Sequence, residues 1–186
     1  MMQRIKELLE AKGLPQTLVA AVMGNIDVET GGSFSHKQKQ RRASKKAHGL
    51  FQFDPQGMLP PYRAWLKKEK LKDTPEAQVS FFHSTLYGDN VDALGATKAR
   101  RMREFLASAD VPTATEYLAR EWFQAGKPMM DKRLASADKF FYPDENPNEI
   151  ARFAREAPPS VSEAPPSEPV EESFMNKLLY KIKDIF

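Results

Sequence analysis

The chain of 186 residues contains no cysteine. Disulfides, thiol nucleophiles and cysteine-based metal sites are therefore excluded. Histidine is scarce: His36, His48 and His83 are the only three, and their spacing fits no metal-ligand pattern. Neither a metal nor another cofactor is expected. No apolar run reaches the roughly 18 residues that a membrane-spanning helix needs. The N-terminus, MMQRIKELLEAKG, is charged and amphipathic. It lacks the apolar centre and small-residue cleavage site of a secretory signal, so export would need another carrier.

What is present is enough apolar material for a core, with 41% hydrophobic and 10% aromatic residues. The length suits one domain with an appendage. The formal charge of +3 hides an asymmetry. Residues 143–186 carry 5 basic and 9 acidic side chains, leaving 23 and 16 in residues 1–142. A basic body suits a polyanionic partner, whether wall polymer, nucleic acid or membrane surface. Charge alone does not choose among them.

Along the chain, helical periodicity dominates. Residues 3–12 place Ile5, Leu8 and Leu9 on one face, and Gly13 supplies a stop. Pro15 opens a second helix in which Leu18, Val22, Ile26 and Glu29 follow steps of three and four. Ala20, Ala21 and Gly24 keep it thin, and Gly31-Gly32 ends it. Residues 31–48 show no apolar period, and six of the ten from Lys37 to Lys46 are Lys or Arg, as in a solvated loop. Leu50-Phe51-Gln52-Phe53 reads as a strand or extended turn closed by Asp54-Pro55. Further helices are expected over 61–70, 75–87 (capped by Thr74), 97–107, 113–124 and 129–141. Phe105 and Tyr117 are expected to face inward. The body is thus mainly α with a minor extended element.

After Tyr142 the composition changes. Seven of the fourteen prolines fall between Pro143 and Pro169, amid Ser, Glu and Ala. Residues 143–172 read as an extended linker. In 173–186 the pattern returns: Phe174, Leu178, Ile182 and Phe186 form an apolar stripe opposite Lys177, Lys181 and Lys183. This amphipathic helix is too short to span a bilayer. It could dock on another protein, lie on a membrane surface or fold back on the body.

Glu29 stands out by position, in the last turn of a buried helix. The helix dipole and partial burial both favour its protonated form there. A neutral carboxylic acid is what glycoside cleavage uses to protonate the leaving oxygen. A solvated helix-end glutamate would show the same periodicity.

The stretch GNIDVETGGSF, followed by HGLFQFD, resembles the phage tail lysozyme family of the lysozyme-like superfamily. In that family a helix ends in a catalytic Glu within an E-S/T-G-x-F motif, and a Gly-Leu-x-Gln segment forms the neighbouring cleft wall. The matching positions are Glu29-Thr30-Gly31 with Phe34, and Gly49-Leu50-Phe51-Gln52-Phe53. Two residues, Gly32 and Ser33, stand where the family often has one. Ala77-Gln78-Val79-Ser80-Phe81-Phe82 is similar to the family's Q-x-x-F helix. Glu121-Trp122-Phe123, Gly126-Lys127-Pro128 and Arg133 with Ala137 resemble its closing pattern, although Gln124-Ala125-Gly126 replaces the usual Glu-Arg. The resemblance covers about residues 5–142.

It implies a lysozyme-like α+β domain over 1–142, with a small extended or β element, that acts on the glycan strands of peptidoglycan. It implies Glu29 as the acid and Gln52 beside it. The Gln52 amide could bind an N-acetyl group or orient water. Asp54 is the nearest second carboxylate, although Asp before Pro is also a common turn residue. Asp27 and Asp89 are weaker candidates. Without a second carboxylate, a lytic transglycosylase using one Glu as acid and base is the alternative. Period two predicts that Phe51 and Phe53 split, one to the core and one to the sugar. Tyr62, Trp65 and Tyr87 could line sugar subsites or simply fill the core.

The implied setting is a virion, with the enzyme produced in the host cytoplasm, acting on the cell wall and held to a phage tail or other virion protein through residues 174–186. A nucleic-acid-binding role is not expected, because the basic run lacks interleaved aromatics. An inactive structural virion protein is the remaining alternative.

Overall fold

The computed structural model describes residues 1–39, 47–125 and 128–142. The linker 143–172, the helix 173–186 and most of the basic loop lie outside the described residues.

Eight helices form among the described residues. α1 (Met2–Glu10) buries Ile5 and Leu9. α2 (Gln16–Thr30) is the central element, with Leu18 through Ile26 all buried. Its first turn follows Pro15, and Gly31 ends it in the left-handed region at φ 58°. α3 (Leu59–Lys68) and α4 (Pro75–Tyr87) carry much of the aromatic core. The Thr74 hydroxyl accepts the Ala77 N–H at 3.2 Å, the cap the sequence predicts. α5 (Val91–Leu94) is a single turn with no periodic signal. α6 (Ala96–Leu106) follows it, and α7 (Val111–Glu121) starts at an Asp110 cap, two residues before the expected point. α8 (Met130–Phe141) closes the body.

α2 packs most heavily against α8 and α7. Close approach to α8 depends on Gly24: a Cβ there would lie 2.7 Å from Ala137 Cβ, Ala137 N and the Arg133 carbonyl. The thin face predicted from Ala20, Ala21 and Gly24 is thus the seat of the last helix.

Two expectations about packing fail. Phe105 is 41% exposed and stacks on half-buried Tyr117, with ring centroids 4.1 Å apart. Phe105 thus lies outside the core, whereas Tyr117 packs against it as expected. The expected strand is also absent among the described residues. Lys39, His48 and Phe53 make only isolated antiparallel bridges, so the α+β expectation reduces to a mainly helical body with a tight turn.

Candidate active site

Glu29 sits in the last turn of α2 with its side chain 18% exposed. The chain beyond it is fixed by Thr30. Its hydroxyl donates to the Ile26 carbonyl at 2.8 Å and accepts the Phe34 N–H at 3.0 Å. Phe34 takes φ 49° to turn back, is buried, and meets Phe140 of α8 edge-on.

The partner of Glu29 is a residue that periodicity does not single out. Arg133 of α8 is 2% exposed, and its Nη2 donates to Glu29 Oε1 at 2.6 Å. The same guanidinium donates to Asn25 Oδ1 at 2.8 Å and to the Pro128 carbonyl at 2.5 Å. Asn25 is fully buried and is held by the Ala21 and Thr115 carbonyls. A buried arginine with this many acceptors is rigid, so Oε1 has one defined neighbour. The expectation from burial and the helix dipole omitted this cation, which comes from 104 residues away.

The segment 48–53 forms the second part. His48 N and O pair with Phe53 O and N at 3.2 and 2.8 Å, closing a turn over Gly49–Gln52. Gly49 lies at φ 83°, and a Cβ there would come within 2.3 Å of Gln78 Oε1. Gln52 takes φ 45°, a region that non-glycine residues seldom occupy. Its Nε2 donates to the Gly49 carbonyl at 2.8 Å, which orients the amide.

That turn also breaks the period of two. With Gln52 left-handed, Phe51 and Phe53 fall on the same side and are both 1% exposed, so the expected split does not occur. Phe51 stacks on Phe82 at 4.8 Å, and Phe53 packs on Tyr62 at 4.6 Å.

Beneath the turn lies a polar knot. Gln78 is fully buried. Its Oε1 accepts the Leu50 N–H at 2.8 Å, and its Nε2 donates to the His36 carbonyl at 2.8 Å and to Asp73 Oδ1 at 2.7 Å. Asp73 also accepts from the Tyr62 hydroxyl at 2.7 Å and from His48 Nε2 at 2.6 Å. Burial pushes the Asp73 carboxyl up, but the hydrogen bonds from Gln78, Tyr62 and His48 together hold it below its usual value. Burial and then the Asp73 hydrogen bond push the Tyr62 phenol up. Tyr62 is therefore a core residue and not part of a sugar subsite. Tyr87 is exposed, stacks on His83, and does not line the cavity described next.

A cavity of about 180 Å³ opens beside the turn. Gln52 and Asp54 line it on one side and Trp122, Phe123 and Gln124 on another, with Lys98 at its wall. Glu29 does not line it. The link is Arg133, whose guanidinium carbon lies 5.9 Å from the Phe123 ring centroid. The Asp54 carboxylate accepts the Gln56 N–H at 3.1 Å, so it is also a turn residue. Asp27 points to α8 instead, accepting the Ser136 hydroxyl at 2.6 Å. Asp89 lies in the turn after α4.

A model of phage tail lysozymes matches residues 1–142, the whole of this helical body. The chain belongs to the phage tail lysozyme family. No curated protein and no solved structure matches it significantly. Membership supports a lysozyme-like, peptidoglycan-lytic function, with a glycan of the bacterial wall as the natural substrate. It is likewise consistent with association with a phage particle.

The E-T-G motif marks Glu29 in the sequence, but not what holds it. Arg133 and Gln78 both stand in segments that carry the resemblance, but their partners follow only from the need of a buried carboxylate and a buried turn for hydrogen bonds. Nothing in local spacing says what they touch.

Proposed function

We propose that this protein cleaves the β-1,4 bond between N-acetylmuramic acid and N-acetylglucosamine in peptidoglycan, with Glu29 as proton donor. The carrying observation is the half-buried Glu29 carboxyl in the last turn of α2, within the residues that the phage tail lysozyme model matches, with Arg133 fixing its orientation through Oε1. Oε2 is then the oxygen that gives the proton to the glycosidic oxygen. Gln52, on its oriented turn, binds the acetamido group or the attacking water. Phe51 and Phe53 act from below, as the apolar floor of the cavity.

The fate of the glycosyl centre depends on a second group. Asp54 lines the same cavity as Gln52 and is the residue that would assist water, giving hydrolysis. Its carboxylate is also engaged by the Gln56 N–H, which favours the second reading. In that reading Glu29 returns as base and the muramic 6-hydroxyl closes on the anomeric carbon. Residues 173–186 are proposed to tether the enzyme to a virion component.

Glu29→Gln should lower wall cleavage in a zymogram by about a thousandfold, the scale of a lost general acid. Near-normal clearing by that variant rejects the assignment. Mass spectrometry of the released muropeptides then reads the mechanism. Reducing ends indicate hydrolysis, and 1,6-anhydro ends indicate the transglycosylase.

A further inference from the structure

Trp65 has no part in the site described above. It stands half-buried on α3, with its ring packed on Tyr62 at 6.3 Å and on Phe81 at 5.6 Å between centroids. It also lines a groove of about 390 Å³ between α3, α4 and the turn at 88–90. The groove shares no lining residue with the cavity beside Gln52, and Glu29 does not line it. A sheltered indole N–H usually finds an acceptor. Trp122 has one in the Thr85 hydroxyl at 3.2 Å. The Trp65 N–H has none among the described residues, and no buried side-chain polar atom there lacks a partner, so this donor reaches solvent.

The other walls carry oriented polar groups. Asn90 Nδ2 donates to the Ser84 hydroxyl at 2.7 Å, which donates to the Phe81 carbonyl at 2.9 Å. That chain fixes the Asn90 amide and leaves its Oδ1 as an acceptor. His83 is held by its stack on Tyr87, with centroids 5.2 Å apart. Burial, and then the charge of Lys12, hold its pKa below the usual value, so the neutral ring offers one donor and one acceptor. Four charged residues complete the lining. Lys12 and Lys68 balance Glu69 and Asp89, and Lys68 pairs with Glu69 at 3.6 Å. A polyanion therefore gains no net attraction there. An apolar ligand would take water from the imidazole, hydroxyl and amide without replacing its hydrogen bonds. A hexopyranose satisfies both walls, with a C–H face for the indole and hydroxyls for the polar groups.

We propose that this groove is a second, non-catalytic binding site for a hexopyranose chain, and that it holds a glycan strand to the enzyme outside the cleavage cavity. The proposal rests on the glycan-cleaving reading only for the identity of that strand. The sugar binding itself requires no chemistry at Glu29. Trp65 supplies the stacking face, and His83 and Asn90 supply the hydrogen bonds. A strand held there stays with the enzyme after a cut, which suits action on an insoluble polymer.

The test is a titration of the full, nitrogen-labelled chain followed by NMR, which locates each binding site. The probes are N,N′,N″-triacetylchitotriose and, as an anionic contrast, tripolyphosphate. The trimer should move the Trp65 indole signal and the amides of Ser80, His83 and Asn90, and tripolyphosphate should not. Trp65→Leu removes the stacking face and should weaken binding at the groove about fivefold, the scale of one aromatic contact. Ser80→Gln fills the groove without breaking a side-chain hydrogen bond among the described residues. It should abolish the groove shifts and leave those at Gly49 and Gln52. No groove shifts with the trimer, equal groove shifts with tripolyphosphate, or groove binding unchanged in either variant overturns the proposal. Glu29→Gln is measured alongside and should keep the groove shifts. If it loses wall cleavage and the trimer moves nothing in the groove, the acid stands and the groove falls. If it cleaves walls normally while the groove shifts persist, the acid falls and the groove stands.

Discussion

At the scale of single residues, two buried polar side chains organise the site. Arg133 serves α2 through Asn25 and Glu29 and its own loop through Pro128. Its removal leaves Asn25 Oδ1 and a sheltered carboxylate without a donor. Arg133→Leu should therefore cost about 3 kcal/mol of stability in urea unfolding, the low end for a broken buried pair because Glu29 retains some solvent access. A midpoint equal to wild type would show that the clamp contributes nothing. Asp73 gives a prediction in pH. Its carboxyl lies below its usual value in the folded state, so the folded form binds that proton more weakly than the unfolded one. Its contribution is complete above the ordinary carboxylate range and is lost as pH falls through the lowered value. The stability gap between wild type and Asp73→Asn should be largest at about pH 7 and shrink toward about pH 3. A gap that does not change with pH contradicts the assignment of its stabilisation to the charged form.

At the scale of elements, the crossing of α2 and α8 decides whether the site exists. The approach leaves no room for a methyl at Gly24. Gly24→Ala should destabilise by about 1–3 kcal/mol through overpacking, even though alanine is the better helix former. It should also lower wall cleavage, because α8 carries Arg133. Retained stability and activity would mean that the crossing can open without cost. Much of this element level was legible. The Gly31 stop, the Thr74 cap and the small-residue face of α2 follow from local chemistry, and the structure has all three. The turn at 48–53 was legible only in part. Its boundaries came from Gly49 and Pro55, but the left-handed Gln52 that sends both phenylalanines inward comes from tertiary constraint. Phe105 misled for the opposite reason: helical period marks a face, not whether another element covers it.

At the scale of the whole molecule, a basic body of residues 1–142 precedes an acidic, proline-rich segment and an amphipathic tail. The sequence reads the tail as a peg on a tether. Deleting residues 174–186 should abolish association with the phage particle, measured by co-sedimentation, while zymogram activity on isolated walls stays intact. Association that survives the deletion rejects the tether. The mainly helical body and the bounds of the turn could be read from residues close together in sequence, and Glu29 as the acid is a proposal drawn from the same local residues. The contacts of Arg133 and Gln78 could not, although both residues stand in segments that carry the resemblance, because each contact joins segments far apart in the chain.

Glu29 lies in the second helix and its guanidinium partner in the eighth, 104 residues later. A ribosome releases Glu29 long before it synthesises Arg133. Until α8 is complete, the nascent chain has the Glu29 carboxyl but not the guanidinium that engages it. The Glu29–Arg133 pair therefore closes only once the last tenth of the body has been made.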